Sequence, residues 1–123
     1  MAIPTANRVV LVVDDESDTR DALSTLLYFL GYSTLLASDR DRALSILRET
    51  PPDAMILDSQ MPGMELAEFL EKVRALKAQP SIVLLTHHKN VDTEQHFGLK
   101  HVLPKPFDME VLSRKLRDCL AVS

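Results

Sequence analysis

Short apolar runs alternate with amphipathic segments along the chain, and this alternation restricts the possible folds more than any other feature. The first run, VVLVV at residues 9–13, is apolar throughout, as expected for a strand that is covered on both faces. Further runs predict strands at residues 32–37, 53–58, 81–86 and 101–103. Strands that alternate with helical segments predict an α/β fold, a (βα)5 chain whose parallel sheet carries helices on both faces.

The segments between the strands carry apolar residues at helical spacing. In the first segment the repeat consists of Leu23, Leu26, Leu27 and Leu30. Ser17 is expected to cap this helix, and Ser38 with Asp41 resembles a capping box for the second. Asp108 is expected to cap the last helix. Residues 90–97 are polar and only weakly helical, so we expect a short or irregular fourth helix.

The composition fits one domain. The chain has 123 residues, of which 46% are hydrophobic, so we expect a single domain over residues 1–123 with its core at about 8–121. The net charge of -4 is spread along the chain, which argues against direct nucleic-acid binding. Since no apolar run is long enough for a membrane span and residues 1–8 lack a signal-peptide core, we expect a cytoplasmic protein.

Cys119 is the only cysteine in the sequence, so the chain cannot form an internal disulfide. It lies in the apolar repeat of the last predicted helix, far in sequence from the polar residues that follow the strands. We therefore expect a cysteine buried in the core rather than a nucleophile.

Polar side chains collect where the predicted strands end. The set comprises Asp14, Asp15 and Glu16 after the first strand, Asp58 after the third, Thr86 after the fourth and Lys105 after the fifth. In doubly wound sheets, ligands bind at the carboxyl ends of the strands. The sequence therefore predicts that these groups converge at one edge of the sheet.

Clustered carboxylates repel one another, and a hard divalent cation removes that conflict. Mg²⁺ prefers oxygen ligands and typically takes one or two carboxylates, with waters completing its octahedron. A lysine supplies a compact positive charge for an anion, and a threonine supplies a hydroxyl donor. Together these groups suit a phosphoryl group that one carboxylate accepts as an acyl phosphate.

Each of these residues also has an ordinary structural interpretation. The Asp14-Asp15 pair can form a helix-capping loop, and Asp58 can belong to a turn with the following Pro-Gly at residues 62–63. Lys105 can be a solvated surface lysine, and Thr86 can be ordinary polarity at a strand end. The functional hypothesis depends on the conjunction, since all of them follow different predicted strands at the same edge.

Four motifs resemble the receiver domain of two-component response regulators. They are VVLVVDDE at 9–16, LDSQMPGM at 57–64, SIVLLT at 81–86 and LPKPF at 103–107. The similarity extends over nearly the whole chain, from residue 9 to about residue 120. It implies a flavodoxin-like, doubly wound parallel sheet of five strands in the order 2-1-3-4-5.

The resemblance implies a role for each acidic residue. Asp58 matches the aspartate that accepts a phosphoryl group from a sensor histidine kinase or a histidine phosphotransfer protein. Asp15 matches the main acidic Mg²⁺ ligand, and Asp14 matches its neighbour, which reaches the metal through water. Asp58 and the backbone carbonyl of Gln60 match the remaining protein ligands of that ion.

The resemblance also implies how the phosphorylated state is recognised. Lys105 matches the lysine that pairs with the phosphoryl group, and its bond to Pro106 is expected to be cis. Thr86 matches the hydroxyl that moves toward the phosphate. The switched surface would act on a downstream output domain or protein, with a homodimer as a possible form. Such a domain is not an enzyme toward external substrates, because it catalyses only its own phosphorylation and dephosphorylation.

The sequence departs from this family in three places. Val102 occupies the position of the switch aromatic, and a valine cannot act as an aromatic rotor. The segment from Thr86 to Lys105 is shorter than usual, and His87 replaces a small residue. The imidazole is expected to restrict the access of small phosphodonors to the pocket. A solvent-exposed loop is expected at residues 87–88, rather than a zinc site.

Three other functions compete with the phosphoacceptor hypothesis. The departures favour a pseudo-receiver, which would bind a protein partner without phosphorylation. An aspartate-nucleophile phosphatase would carry a second aspartate where Gln60 stands. A flavin-binding protein would need a phosphate-binding loop rich in glycine, serine and threonine after the first strand, which the sequence lacks.

Overall fold

Parallel strands form the centre of the computed structural model, which describes residues 8–87 and 97–121. The strands are β1 (Val9–Val13), β2 (Ser33–Ala37), β3 (Ala54–Asp58), β4 (Ser81–Thr86) and β5 (His101–Pro104). They pair in parallel in the order β2-β1-β3-β4-β5, which confirms the predicted α/β architecture and strand order.

Helices cover both faces of this sheet. Within the described residues they are α1 (Ser17–Leu30), α2 (Arg40–Glu49), α3 (Leu66–Arg74) and α4 (Met109–Ala121). In that part of the chain, none of them has the length and hydropathy needed to cross a membrane. The helix predicted at residues 90–97 falls, apart from its last residue, outside the described part of the structure, so its shortness stays a prediction.

The pleat of the central strands sends alternate side chains into two separate cores. Val10, Val12 and Ile56 pack on one face with leucines of α1 and α4. Leu11 and Leu57 pack on the other face with α2 and α3. Complete burial of such a side chain stabilises the fold by about 1.5–3 kcal/mol. Burial on both faces explains why these strands are apolar throughout, and it confirms the interpretation of their sequence.

The start of α1 differs from the prediction by one residue. Ser17 was expected to cap this helix, but it is the first helical residue, and Glu16 occupies the N-cap position with extended backbone angles. The main-chain N–H of Glu16 donates to Oδ1 of Asp14 at 3.0 Å, so the turn that starts the helix forms against the preceding carboxylate. Gly31 ends the helix in the left-handed conformation, with φ 93°.

The caps of α2 and α4 are both formed by aspartate side chains. The capping box at Ser38 is wrong, because the side chain of Asp39 accepts the N–H of Arg42 at 2.7 Å and caps α2 instead. The prediction for α4 is confirmed, since Oδ1 of Asp108 accepts the N–H of Glu110 at 2.7 Å. An aspartate cap of this kind stabilises a helix by about 1 kcal/mol.

Cys119 lies on the face of α4 that packs against the sheet, and it is buried in the core as predicted, with 3% of its surface exposed. Burial raises the pKa of its thiol to about 11, so the thiol stays protonated at neutral pH. Its position is structural, and the chemistry of the molecule lies at the other end of the strands.

Candidate functional site

Carboxylates from two adjacent strands meet at the carboxyl edge of the sheet. Asp14 and Asp15 follow β1, and Asp58 ends β3, which pairs with β1 in parallel. Each offers one oxygen, and these three oxygens lie within 4.8 Å of one another. Asp14 and Asp58 are completely buried, whereas Asp15 is exposed. The structure therefore brings together the acidic groups that were expected to converge because they follow or end neighbouring strands.

This oxygen cluster could hold a metal ion, and its donors are of the kind that Mg²⁺ prefers. The donors are hard carboxylate oxygens, and the exposure of Asp15 leaves one side of the cluster open to the water that Mg²⁺ retains. Gln60 lies in the loop after β3, where its N–H donates to Oδ1 of Asp58 at 3.0 Å. The role of its carbonyl as a metal ligand stays a prediction.

Lys105 reaches across the sheet edge to three carboxylates. Its Nζ lies 2.9 Å from Oδ2 of Asp14, 3.2 Å from Oε1 of Glu16 and 3.4 Å from Oδ2 of Asp58. Burial lowers the pKa of Lys105, but the hydrogen bond to Asp14 and the charge of Asp58 outweigh this, and the net shift is upward. The side chain is therefore a charged ammonium ion. The peptide bond between Lys105 and Pro106 is cis, as expected.

Asp58 is held in a mixed environment. Burial raises the pKa of its carboxyl group, the N–H of Gln60 lowers it, and the charge of Asp14 raises it again. Lys105 and His87 also lower this pKa, but the net shift is upward. The pKa of Asp58 is thus set by the opposition between burial, which favours the neutral acid, and the donors and cations around it, which favour the carboxylate.

The structure places His87 directly on Asp58. Its Nε2 atom lies 3.0 Å from Oδ1 of Asp58, and 31% of the His87 side chain is exposed. The expected loop is present at this residue, but His87 is only partly exposed because it contacts Asp58; residue 88 lies outside the described residues. The cause is strand pairing, because Leu85 of β4 lies opposite Asp58 of β3 and His87 continues past that carboxylate.

Thr86 and Val102 occupy neighbouring strands behind the site. Thr86 is buried at the end of β4, and its carbonyl accepts the N–H of Lys105 at 2.6 Å. Val102 of β5 lies opposite Leu84 of β4 and packs against the core on the side of α2 and α3. The position of the expected switch aromatic is therefore filled by a packed aliphatic side chain.

Arg40 is a residue of the site that the sequence did not identify. It is the first residue of α2, and only 2% of its surface is exposed. Its Nη2 donates to the main-chain oxygen of Asp58 at 2.9 Å, and its Nη1 donates to that of Met64 at 2.6 Å. An arginine beside a helix cap normally indicates solvent exposure, so the sequence carried no signal for this contact.

A groove of about 430 Å³ opens beside the carboxylates, between the start of α1 and the loop that leads into α4. Its lining is mainly apolar and consists of Asp18, Thr19, Ala22, His87, Lys105, Pro106, Phe107 and Met109. His87 and Lys105 belong to both the groove and the acidic site, so a molecule in the groove would contact the groups around Asp58.

Comparison with known families gives one match over most of the chain. The family described as the response regulator receiver domain matches residues 10–117. The response regulator MprA of Mycobacterium sp. (strain KMS) is 36% identical over 115 residues, which are 90% of this chain and 50% of that protein. MprA of Mycobacterium avium (strain 104) gives the same values. The chain thus spans about half the length of these curated relatives.

Solved structures show the same architecture. The chemotaxis protein CheY4 of Vibrio cholerae superposes with a TM-score of 0.85 at 30% identity, covering 93% of this chain and 99% of that one. A CheY-like receiver domain protein from Methanospirillum hungatei JF-1 superposes with a TM-score of 0.84, covering 93% and 94% of the two chains. At 23% identity, the second likeness supports the fold alone.

Proposed function

The chain belongs to the family of response regulator receiver domains, and from that membership we propose that it accepts a phosphoryl group on Asp58. One observation carries the proposal. A buried carboxylate at the end of β3 shares its site with oxygens of Asp14 and Asp15 and with the ammonium group of Lys105. Such a combination has both a nucleophile and the charges that phosphoryl transfer needs.

In the proposed reaction, a carboxylate oxygen of Asp58 attacks the phosphorus atom of a phosphohistidine. The new O–P bond forms as the N–P bond breaks, and the leaving imidazole nitrogen keeps the electron pair and takes a proton from water. Lys105 neutralises negative charge on the phosphoryl oxygens as they approach. Held by Asp14, Asp15, Asp58 and the carbonyl of Gln60, Mg²⁺ would supply further charge neutralisation.

The attacking group must be ionised, and burial opposes that because it raises the pKa of Asp58. The N–H of Gln60 and the ammonium group of Lys105 act in the other direction. These donors favour the ionised form and so partly offset the effect of burial in a poorly solvated site. The domain then acts only on itself, through its own phosphorylation and dephosphorylation.

The phosphodonor is proposed to be a sensor histidine kinase or a histidine phosphotransfer protein. The mainly apolar groove beside Asp58 supports this, since it offers a protein partner a surface that continues into the pocket. The downstream target is an output domain or a separate protein. Because Val102 is an aliphatic side chain packed against the core, the switch is proposed to use a route other than the rotation of an aromatic side chain.

The proposal is tested by labelling. The chain is incubated with a small acyl phosphate and, separately, with a phosphorylated histidine phosphotransfer protein, each with Mg²⁺ or with a chelator. Intact-mass measurement is expected to show one added phosphoryl group that requires Mg²⁺ and is absent in Asp58→Asn. Labelling of the Asp58→Asn chain, or no labelling by either donor in a folded chain, overturns the proposal.

A second function is favoured by the contact between His87 and Asp58, because the imidazole occupies one oxygen of the acceptor. Here the chain would be a binding module that keeps the acidic pocket without using it for phosphorylation. Asp58→Asn would then leave the affinity for a partner protein unchanged, as measured by calorimetry, whereas the first proposal predicts that phosphorylation changes this affinity.

A further inference from the structure

We propose that Arg40 is a positioning residue that holds the loop after Asp58 in the conformation that binds Mg²⁺. Its guanidinium group bridges the main-chain oxygens of Asp58 and Met64, which lie at the two ends of the loop 59–63. The inference rests on the proposed function, because the ion it concerns is the one that would serve phosphoryl transfer.

The burial of Arg40 is costly and needs an explanation. Only 2% of its surface is exposed, and among the described residues no carboxylate lies within ion-pair distance of its guanidinium group. Within the same residues its Nε has no hydrogen-bond partner. A buried cation with two carbonyl partners is a poor stabilising element. Its hydrogen bonds therefore point to a role in the geometry of the loop.

The bridged loop carries a group that touches the acceptor. The N–H of Gln60 donates to Oδ1 of Asp58 at 3.0 Å, and the predicted metal ligand is the carbonyl of the same residue. Gly63, near the other end of the loop, has φ 95°. A planar guanidinium group donates in two fixed directions, so it fixes the separation of the two carbonyls and limits the orientations of Gln60.

Arg40 affects a bound cation in two opposite ways. Its positive charge lies close enough to Asp58 and Asp15 to interact with both, so it repels a metal ion at the acidic cluster. Its hydrogen bonds hold the loop in place and so favour that ion. Removal of the side chain strengthens Mg²⁺ binding if charge dominates and weakens it if positioning dominates, which makes the sign of the effect decisive.

The experiment measures Mg²⁺ binding to the whole chain by isothermal titration calorimetry. Arg40→Met removes the charge and both hydrogen bonds, whereas Arg40→Lys keeps the charge but loses the planar fork. Arg42→Met is the matched control, because Arg42 is exposed on the same helix and only its main-chain N–H takes part in the cap. Both Arg40 variants are expected to bind Mg²⁺ about tenfold more weakly than the parent chain, and Arg42→Met is expected to bind it equally well.

A second readout follows the loop itself. In ¹⁵N-labelled protein without metal, the amide resonance of Gln60 is expected to shift in both Arg40 variants and to stay in place in Arg42→Met. Unchanged or tighter Mg²⁺ binding by Arg40→Met overturns the inference. If Arg40→Met does not fold, Mg²⁺ binding by Arg40→Lys decides in the same way. If neither variant folds, Arg40 serves stability alone, and the inference is overturned.

The outcomes separate this inference from the proposed function. A parent chain that binds Mg²⁺ but is never labelled on Asp58 contradicts the phosphoacceptor proposal and leaves the calorimetric test of Arg40 valid. A labelled parent chain whose Arg40 variants bind Mg²⁺ as it does contradicts only the inference. A parent chain without measurable Mg²⁺ binding contradicts both.

Discussion

Nε2 of His87 lies 3.0 Å from Oδ1 of Asp58, the same oxygen that accepts the N–H of Gln60. The second oxygen of Asp58 faces Lys105 at 3.4 Å. Both oxygens of the proposed acceptor are therefore engaged by donors from the chain itself. A phosphodonor and a metal ion have to compete with these contacts.

Replacement of His87 by alanine is expected to accelerate labelling by a small acyl phosphate. The substitution frees Oδ1 of Asp58 from one hydrogen bond and opens the pocket, and loss of one such bond predicts a rate about two- to tenfold higher. The initial rate is measured by intact mass at saturating Mg²⁺. His101→Ala, in which the altered histidine lies at the opposite end of the strands, is the control. A slower rate in His87→Ala would show that the imidazole assists transfer and does not restrict access.

Replacement of Asp58 by asparagine is expected to stabilise the metal-free chain at neutral pH. The pKa of Asp58 is raised above its ordinary value of 3.8, so the folded state binds its proton more tightly than the unfolded state does. Stability therefore falls as the pH rises from 3.8 through the raised pKa, and above it the full cost of the buried anion is present. Asparagine removes this cost.

The melting temperature of Asp58→Asn in the presence of a chelator should thus exceed that of the parent chain at neutral pH by a few degrees. The difference should shrink as the pH falls and disappear below the ordinary pKa of an aspartate. Asp21→Asn, which changes an exposed carboxylate on α1, is the control and should show no such pH dependence. A lower melting temperature of Asp58→Asn at neutral pH would contradict the electrostatic account of this site.

Lys105→Met is expected to separate metal binding from phosphoryl transfer. The ammonium group competes with a metal ion for Asp14 and Asp58, so its loss should tighten Mg²⁺ binding several-fold in calorimetry. The same change removes a positive charge from the transferring oxygens, and labelling at saturating Mg²⁺ should be about 100-fold slower. Lys77→Met, at an exposed lysine, should alter neither value. Weaker Mg²⁺ binding by Lys105→Met would show that the lysine supports the metal site.

Val102→Phe tests whether this position can take an aromatic side chain. Val102 packs against the core on the side of α2 and α3, so a larger ring is expected to overpack that region and cost about 1–3 kcal/mol in unfolding free energy. Urea denaturation gives this value, and Val102→Leu is the milder control. A stability equal to that of the parent chain would show that the site has room for a rotating ring.

The fold and much of the site were predictable because they depend on local patterns. The apolar run 9–13 identifies a strand buried on both faces, and parallel pairing then brings the ends of β1 and β3 together. Asp14 follows β1, Asp58 is the last residue of β3 and Lys105 follows β5, so their meeting at one edge of the sheet required only the topology. The order of the strands came from the family resemblance rather than from the patterns themselves.

The remaining features depend on tertiary placement that one sequence does not encode locally. Arg40 is buried because the start of α2 lies against the end of β3, although its sequence context is that of an exposed helix start. His87 contacts Asp58 because of the register between β3 and β4. The cap of α2 was assigned to Ser38 instead of Asp39, since both residues are good caps and the choice depends on the exact turn.

The most direct test of the central claim is a crystal structure of the chain with Mg²⁺ and beryllofluoride, a mimic of the phosphoryl group. The account predicts beryllofluoride attached to Asp58, one Mg²⁺ ion held by oxygens of the acidic cluster, and Nζ of Lys105 in contact with a fluorine atom. Beryllofluoride at another residue, or a metal ion bound away from Asp15 and Asp58, would contradict it.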